Sequence, residues 1–230
     1  MQTIGLLGGM SWESTVTYYQ VVNQAVKERL GGLHSAKCVL YSVDFDEIER
    51  CQSSGDWRRS GEILAGAAQA LERAGADFLL LCTNTMHKVY DQIQAAVSVP
   101  VLHIADVTLE ALRAQGLRRV ALLGTRYTME QDFYKRRLAE GGLEVLIPEE
   151  TDRREINRVI FEELCRGVIS PHSKAYFLRV LKDLKSAGAE GAILGCTEIG
   201  LLVGQGDTDL PLFDTTLLHA QAAAERSLLA

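Results

Sequence analysis

Ala74-Gly-Ala-Asp-Phe-Leu-Leu-Leu-Cys-Thr-Asn-Thr85 and Ala187-Gly-Ala-Glu-Gly-Ala-Ile-Leu-Gly-Cys-Thr-Glu198 align with each other without a gap. Each reads as the end of a helix, a glycine turn, a short apolar run suited to a strand buried on both faces, and then small polar side chains. The match continues in the same order around this pair. Leu6-Leu-Gly-Gly9 lies against Leu122-Leu-Gly-Thr125, and Val99-Pro-Val-Leu102 against Leu210-Pro-Leu-Phe213. A helix-strand unit recurs by chance in many proteins, but three matches in one order read as a duplicated α/β lobe.

Outward from these segments, β-branched and leucine-rich runs alternate with longer amphipathic stretches, the pattern of strand-helix units on a mostly parallel sheet. Strands are expected at 3–7, 38–43, 78–81, 99–102, 119–123, 144–147, 192–194 and 210–213, and helices at 57–73, 154–166 and 173–186 among others. The expected fold is α/β: two similar lobes of mostly parallel sheet flanked by helices, related by a pseudo-twofold axis. The lobes would span 1–104 and 105–230, with a C-terminal helix at 215–230 that can pack back on the first. Ligands of open α/β sheets bind outside the carboxyl ends of the strands. The repeat therefore places Thr83 opposite Cys196 across a cleft between the lobes.

Composition narrows the function classes. With 230 residues, 47% of them hydrophobic, the chain can fill one large core or two small ones. Its formal charge of −6 comes without any cluster of Lys or Arg, which argues against a nucleic-acid partner. The N-terminus has no basic region and its apolar run is broken by glycines, so it does not read as a signal peptide. No stretch reaches the roughly 18 apolar residues of a membrane helix, and a cytoplasmic location is expected. Five scattered cysteines, with no CxxC pair, read as free thiols in a reducing compartment rather than as a disulfide or zinc framework.

Three motifs carry chemistry. Gly5-Leu-Leu-Gly-Gly-Met-Ser-Trp-Glu-Ser-Thr15 follows a strand and opens a helix, which suits an anion held by backbone N–H groups, or a tight turn with Ser11 as an ordinary N-cap. It fits neither a dinucleotide fingerprint nor a P-loop. Cys82-Thr-Asn-Thr-Met-His87 ends a buried strand. Alternation along a strand makes it unfavourable for Cys82 and Thr83 both to face a cleft, so if Thr83 faces in, Cys82 is a structural thiol. His87 reads equally as a site residue or as a histidine satisfied locally. Gly195-Cys-Thr-Glu198 repeats the arrangement with a thiol at the strand end, where a following helix start would favour the thiolate. Glu198 can bind substrate or cap that helix. Arg50, His103, Lys174 and His219 have no such context and are expected to be solvated or structural.

Together these motifs resemble the cofactor-independent aspartate/glutamate racemase family, in particular its L-aspartate/glutamate-specific and broad-specificity amino-acid racemases, and the resemblance runs the length of the chain. It implies inversion of an amino-acid α-carbon by two groups on opposite faces, with no pyridoxal phosphate, no metal and no other cofactor, in a homodimer. Carried over by position, the catalytic pair is Cys196 and Thr83, and the substrate-binding residues are Met10, Gln52, Thr83, Asn84, Thr85, Thr197 and Glu198. Three positions depart from the family pattern. Thr83 stands where a second cysteine is usual, Cys51 near the place of an arginine, and Cys165 where a lysine is common. The resemblance also leaves room for a single-cysteine decarboxylase or isomerase of small dicarboxylates, and for an amino-acid-binding protein that has lost catalysis.

Overall fold

Parallel strands can be joined only by crossovers, and this chain supplies a helical stretch after nearly every apolar run. A computed structural model describes residues 1–229, which fall into two units: Met1–Ile104 with the chain from His219 on, and Ala105–Leu218. In the first unit the chain runs β1 (Ile4–Gly8), α1 (Trp12–Leu30), β2 (Cys38–Ser42), α2 (Phe45–Ser54), α3 (Trp57–Arg73), β3 (Phe78–Leu81), α4 (Tyr90–Ala95) and β4 (Val101–Leu102), and α5 (Ile104–Ala114) begins at its last residue. The second unit holds β5 (Arg119–Gly124), α6 (Arg126–Glu130), α7 (Asp132–Glu140), β6 (Glu144–Leu146), α8 (Glu150–Glu162), α9 (Pro171–Ser186), β7 (Gly191–Gly195), α10 (Ile199–Leu202) and β8 (Leu212–Asp214). The last helix, α11 (Thr215–Leu228), starts in the second unit and ends in the first.

Both sheets are wholly parallel and share one strand order, β2-β1-β3-β4 and β6-β5-β7-β8. The duplicated α/β pattern of the sequence is thus present as a repeated topology. Gly75 and Gly188, equivalent in the repeat, both turn a helix end into a strand at φ +92° and +99°, a region that side chains with a Cβ resist.

Strand boundaries differ from expectation at both prolines. Pairing starts only after Pro100 and after Pro211, because proline has no N–H to give the ladder. Their carbonyls still accept from Leu79 N at 2.9 Å and from Ala192 N at 2.8 Å. The expected helix at 154–166 begins four residues earlier and stops at Glu162. A 3-10 turn, Leu164–Arg166, follows and closes on Gly167 at φ +71°.

Side chains of the first sheet alternate between two cores. Ile4, Leu6, Phe78, Leu80 and Cys82 pack on one face with Tyr18 and Val22 of α1 and Ala220 and Ala223 of α11. Leu7, Leu79 and Leu81 pack on the other face with α3. In the second unit, Ala121, Leu123, Ala192, Leu194 and Cys196 share a core with α8 and α9.

His219 of α11 is fully buried in the first unit. Its Nδ1 lies 2.9 Å from the Tyr18 hydroxyl and its Nε2 3.0 Å from the Leu102 carbonyl oxygen. The carbonyl can only accept, so Nε2 carries the proton and Nδ1 receives the Tyr18 O–H. Burial pushes the pKa of this ring down to about 4.

Above pH ~6.5 the ring is neutral in folded and unfolded chains alike, so its full contribution is present. Below that pH the unfolded chain binds a proton that the buried ring refuses. Stability should therefore fall by about 3 kcal/mol as pH drops from ~6.5 to ~4. Urea midpoints across this range should show that slope in the wild type and a shallower one in His219→Gln. Equal slopes would show that His219 is not its source.

Candidate active site

The strand order sets where loops can gather. In each unit the chain leaves the second strand of the sheet toward one side and later the third strand toward the other, so the loops after β1 and β3, and after β5 and β7, diverge at a switch point. Every motif singled out in the sequence lies at one of these places.

In the first unit, Met10 follows β1 and Thr83, Asn84 and Thr85 follow β3, and all four are buried. The register brings them side by side, because Leu7 pairs with Leu81 and Cys82 N donates to Leu7 O at 2.9 Å. Gln52 reaches the same region from α2, and its amide N–H contacts the Met86 sulfur at 3.0 Å. Met86 in turn packs in one core with Met10. Gly9 N is already committed to Thr15 Oγ1 at 2.9 Å, so this glycine-rich turn offers fewer free donors than its sequence suggests. Cys82 points the other way, into the core with Tyr18, and burial pushes its thiol far up. Thr83 is held at both ends of its peptide unit. Its N–H donates to Leu81 O at 2.8 Å and its carbonyl lies 2.8 Å from His87 Nδ1.

In the second unit, Cys196 directly follows β7, packed in one core with Leu194 and only 7% exposed. Its Sγ donates to Glu198 Oε2 at 3.0 Å, and Thr197 Oγ1 donates to the same oxygen at 2.9 Å. This arrangement reverses the protonation expected from sequence. α10 is a four-residue turn, too short to supply a useful dipole. Burial comes first, then the Glu198 charge and the proximity of Cys165, and these push the Cys196 thiol well above its ordinary value. Cys196 therefore rests as a thiol pointed at a carboxylate. Once ionised, such a buried sulfur is a strong base.

Three successive residues where β8 passes into α11 fasten this loop, and sequence reasoning did not single them out. Thr215 Oγ1 donates to Leu194 O at 2.8 Å and Thr216 Oγ1 to Thr197 O at 3.4 Å. Asp214 Oδ1 receives Thr216 N and Leu217 N, while its Oδ2 fills the space that a side chain at Gly200 would need. Burial raises the pKa of Asp214, and the Glu198 charge adds to it. The available signal was an Asp-Thr-Thr run between strand and helix, a cluster typical of helix starts.

Of the family departures, Arg50 is exposed and ion-paired with Asp46 at 2.7 Å, with Cys51 beside it. Cys165 sits in the 3-10 turn and packs against the core that contains Cys196. Lys174 pairs with Asp207 at 2.8 Å. Cys38, Cys51, Cys82, Cys165 and Cys196 are all free thiols. Among the described residues, no group of three or more His, Cys, Asp and Glu side chains could hold a metal ion, and no helix is long and apolar enough to cross a membrane.

The family model described as Asp/Glu/Hydantoin racemase matches residues 7–223. The broad specificity amino-acid racemase RacX of Bacillus subtilis (strain 168) is 25% identical, over 98% of this chain and 98% of that protein. Among solved structures, a candidate Asp/Glu racemase from Yersinia pestis is 55% identical with a TM-score of 0.91, covering 99% of this chain and 100% of its own. An aspartate racemase homologue from Pyrococcus horikoshii OT3 is 39% identical with a TM-score of 0.85, covering 99% of each.

Glu198→Gln removes the carboxylate charge that favours the protonated sulfur and puts an amide N–H in place of one of its two acceptor oxygens. The thiolate absorbance assigned to Cys196, by difference against Cys196→Ser, should then appear at lower pH than in the wild type. An unmoved titration would mean that burial alone holds the thiol.

Proposed function

We propose that this chain, which belongs to the Asp/Glu/Hydantoin racemase family, is an amino-acid racemase in which Cys196 serves one face of the substrate α-carbon and Thr83 the other. The observation that carries this reading is the Cys196 thiol donating to Glu198 at a strand end whose repeat-equivalent holds Thr83.

Glu198 receives the thiol proton, and the thiolate so formed takes the α-proton. The electron pair of the broken C–H bond moves into the substrate carboxylate as an enediolate. Backbone N–H groups at Met10, Asn84 and Thr197 offset the growing charge, a contribution that is often the largest in such reactions. The Thr83 hydroxyl delivers a proton to the opposite face and regains one from water, and the hydroxide so left takes back the proton held by Glu198, which restores the resting enzyme. Gln52, Thr85, Thr197 and Glu198 complete the contacts to substrate, which is aspartate, glutamate or a broader set of amino acids. A hydroxyl gives a proton far more readily than it ionises to take one, so forward and reverse rates differ while equilibrium still yields equal enantiomers.

No cofactor enters this scheme. Five free thiols support work in the reducing cytoplasm. A homodimer is supported by the apolar row Trp12, Val16 and Tyr19 exposed on successive turns of α1, and by Leu40 and Tyr41 exposed on the edge strand β2.

Cys196→Ser should lose at least ~100-fold in racemisation with its circular dichroism intact. In deuterated water, Thr83→Ala should still wash deuterium into the starting enantiomer while forming little of the other. Thr83→Cys should bring the two directional rates closer. Near-normal turnover in Cys196→Ser would refute the reading.

Sedimentation at micromolar concentration should give a particle of twice 25.3 kDa. A monomer would remove the dimer from this account.

A further inference from the structure

We propose that His87 is a positioning residue for Thr83: a neutral imidazole that fixes the direction in which the Thr83 hydroxyl points and takes no part in proton transfer itself. This rests on the reading of Thr83 as the proton donor for one face.

Two backbone groups settle the tautomer. Ile104 N–H can only donate, and it lies 3.2 Å from His87 Nε2, so that nitrogen presents its lone pair. The Thr83 carbonyl can only accept, and it lies 2.8 Å from Nδ1, so that nitrogen carries the proton. A second proton on the ring would set an N–H against the Ile104 N–H. The ring is buried and packed 4.4 Å from the His103 ring, with the Tyr90 and His219 rings each 6.2 Å away. Any proton exchange through His87 would break one of its two backbone bonds.

The consequence falls on Thr83. Its N–H is tied to Leu81 O and its carbonyl to His87, so both ends of the residue are fixed. Threonine is β-branched and has few χ1 wells for a given backbone. Fixing the backbone therefore aims the hydroxyl. A proton donor misaligned by a fraction of an ångström loses much of its rate, whereas a freely moving one pays an entropic cost at every turnover.

The second unit fills the same place differently, which argues that the place itself matters. Continuing the gapless alignment by two residues sets Gly200 against His87. Gly200 has no side chain, and Asp214 Oδ2 occupies the space there. One lobe braces its strand-end loop with an imidazole from within the loop, and the other with a carboxylate from the start of α11.

The test compares four variants by the ratio of α-deuterium exchange to inversion in deuterated water, with circular dichroism as the check on folding. His87→Phe keeps an aromatic ring, slightly larger than imidazole, and loses both nitrogens. Inversion should fall by roughly tenfold, the worth of one well-placed hydrogen bond, while exchange through Cys196 persists, so the ratio rises. His87→Asn places an amide N–H where Nδ1 stands and should recover most of the inversion. His87→Gln places its amide where Nε2 stands, keeping the Ile104 bond and losing the Thr83 bond, and should behave like His87→Phe. That variant carries the test if the phenylalanine variant does not fold. Thr83→Ala is the reference for a fully uncoupled enzyme. If it raises the ratio while His87→Phe and His87→Gln leave it at the wild-type value, or lower both rates alike, the positioning role is wrong and the reading of Thr83 stands. If Thr83→Ala itself leaves the ratio unchanged, the reading of Thr83 fails and the proposal falls with it.

Discussion

Parallel pairing of β1 with β3, and of β5 with β7, is the constraint on which the chemistry of each unit depends. A strand that must be followed by a crossover leaves its sheet at the carboxyl end, and when successive crossovers go to opposite sides the two loops part. Met10 and Thr83 occupy that parting in the first unit, and Thr125 and Cys196 in the second. Close approach of the paired ends is built into the sequence. A Cβ at Gly124 would come within 2.7 Å of the Gly195 carbonyl oxygen, so glycine here lets two strand ends lie together immediately before the loop that carries Cys196.

On this common frame the two units have taken on different electrostatics. Around Thr83 the groups are hydroxyl, amide, thioether and neutral imidazole. Around Cys196 they are the Glu198 carboxylate and the Cys165 thiol, and the Asp214 carboxylate acts in turn on Glu198. Burial and the Glu198 charge both hold the proton on sulfur, and both strengthen the base that remains after it leaves. A threonine in those surroundings would gain nothing, since its proton is already held far more tightly than any of these groups can loosen. Each lobe thus suits the side chain it carries.

The α/β class and the repeated arrangement of strands were legible because they rest on local pattern: apolar runs of the right length, glycines at helix ends, and two copies to compare. Strand limits were blurred at Pro100 and Pro211, where composition says strand but the missing N–H delays pairing. The core position of Cys82 also followed from the pattern. Protonation did not. The position of Cys196 before a helix suggested a thiolate, whereas the burial of its sulfur and the return of the Glu198 carboxylate onto it hold the proton there. The same holds for partners remote in sequence. Nothing in Cys82-Thr-Asn-Thr-Met-His87 reveals that Ile104 fixes the His87 tautomer, and nothing near Tyr18 announces His219.

The path of α11 bears on how the chain is made. Residues 105–218 are contiguous and carry all four strands of their sheet, so that unit has every part it needs once it has emerged from the ribosome. The first unit is begun earlier and finished later. Ile4, Leu6, Phe78 and Leu80 present an apolar sheet face whose remaining cover, Ala220 and Ala223, arrives only with the final helix, and Gln2 N waits for the Ser227 carbonyl to accept from it. From the synthesis of Ile104 to that of Ala223 a nascent chain therefore exposes one incomplete core. At the customary ~5–20 residues per second of synthesis, that exposure lasts several seconds, the interval in which a chaperone has most to offer and a stalled or truncated product has most to lose.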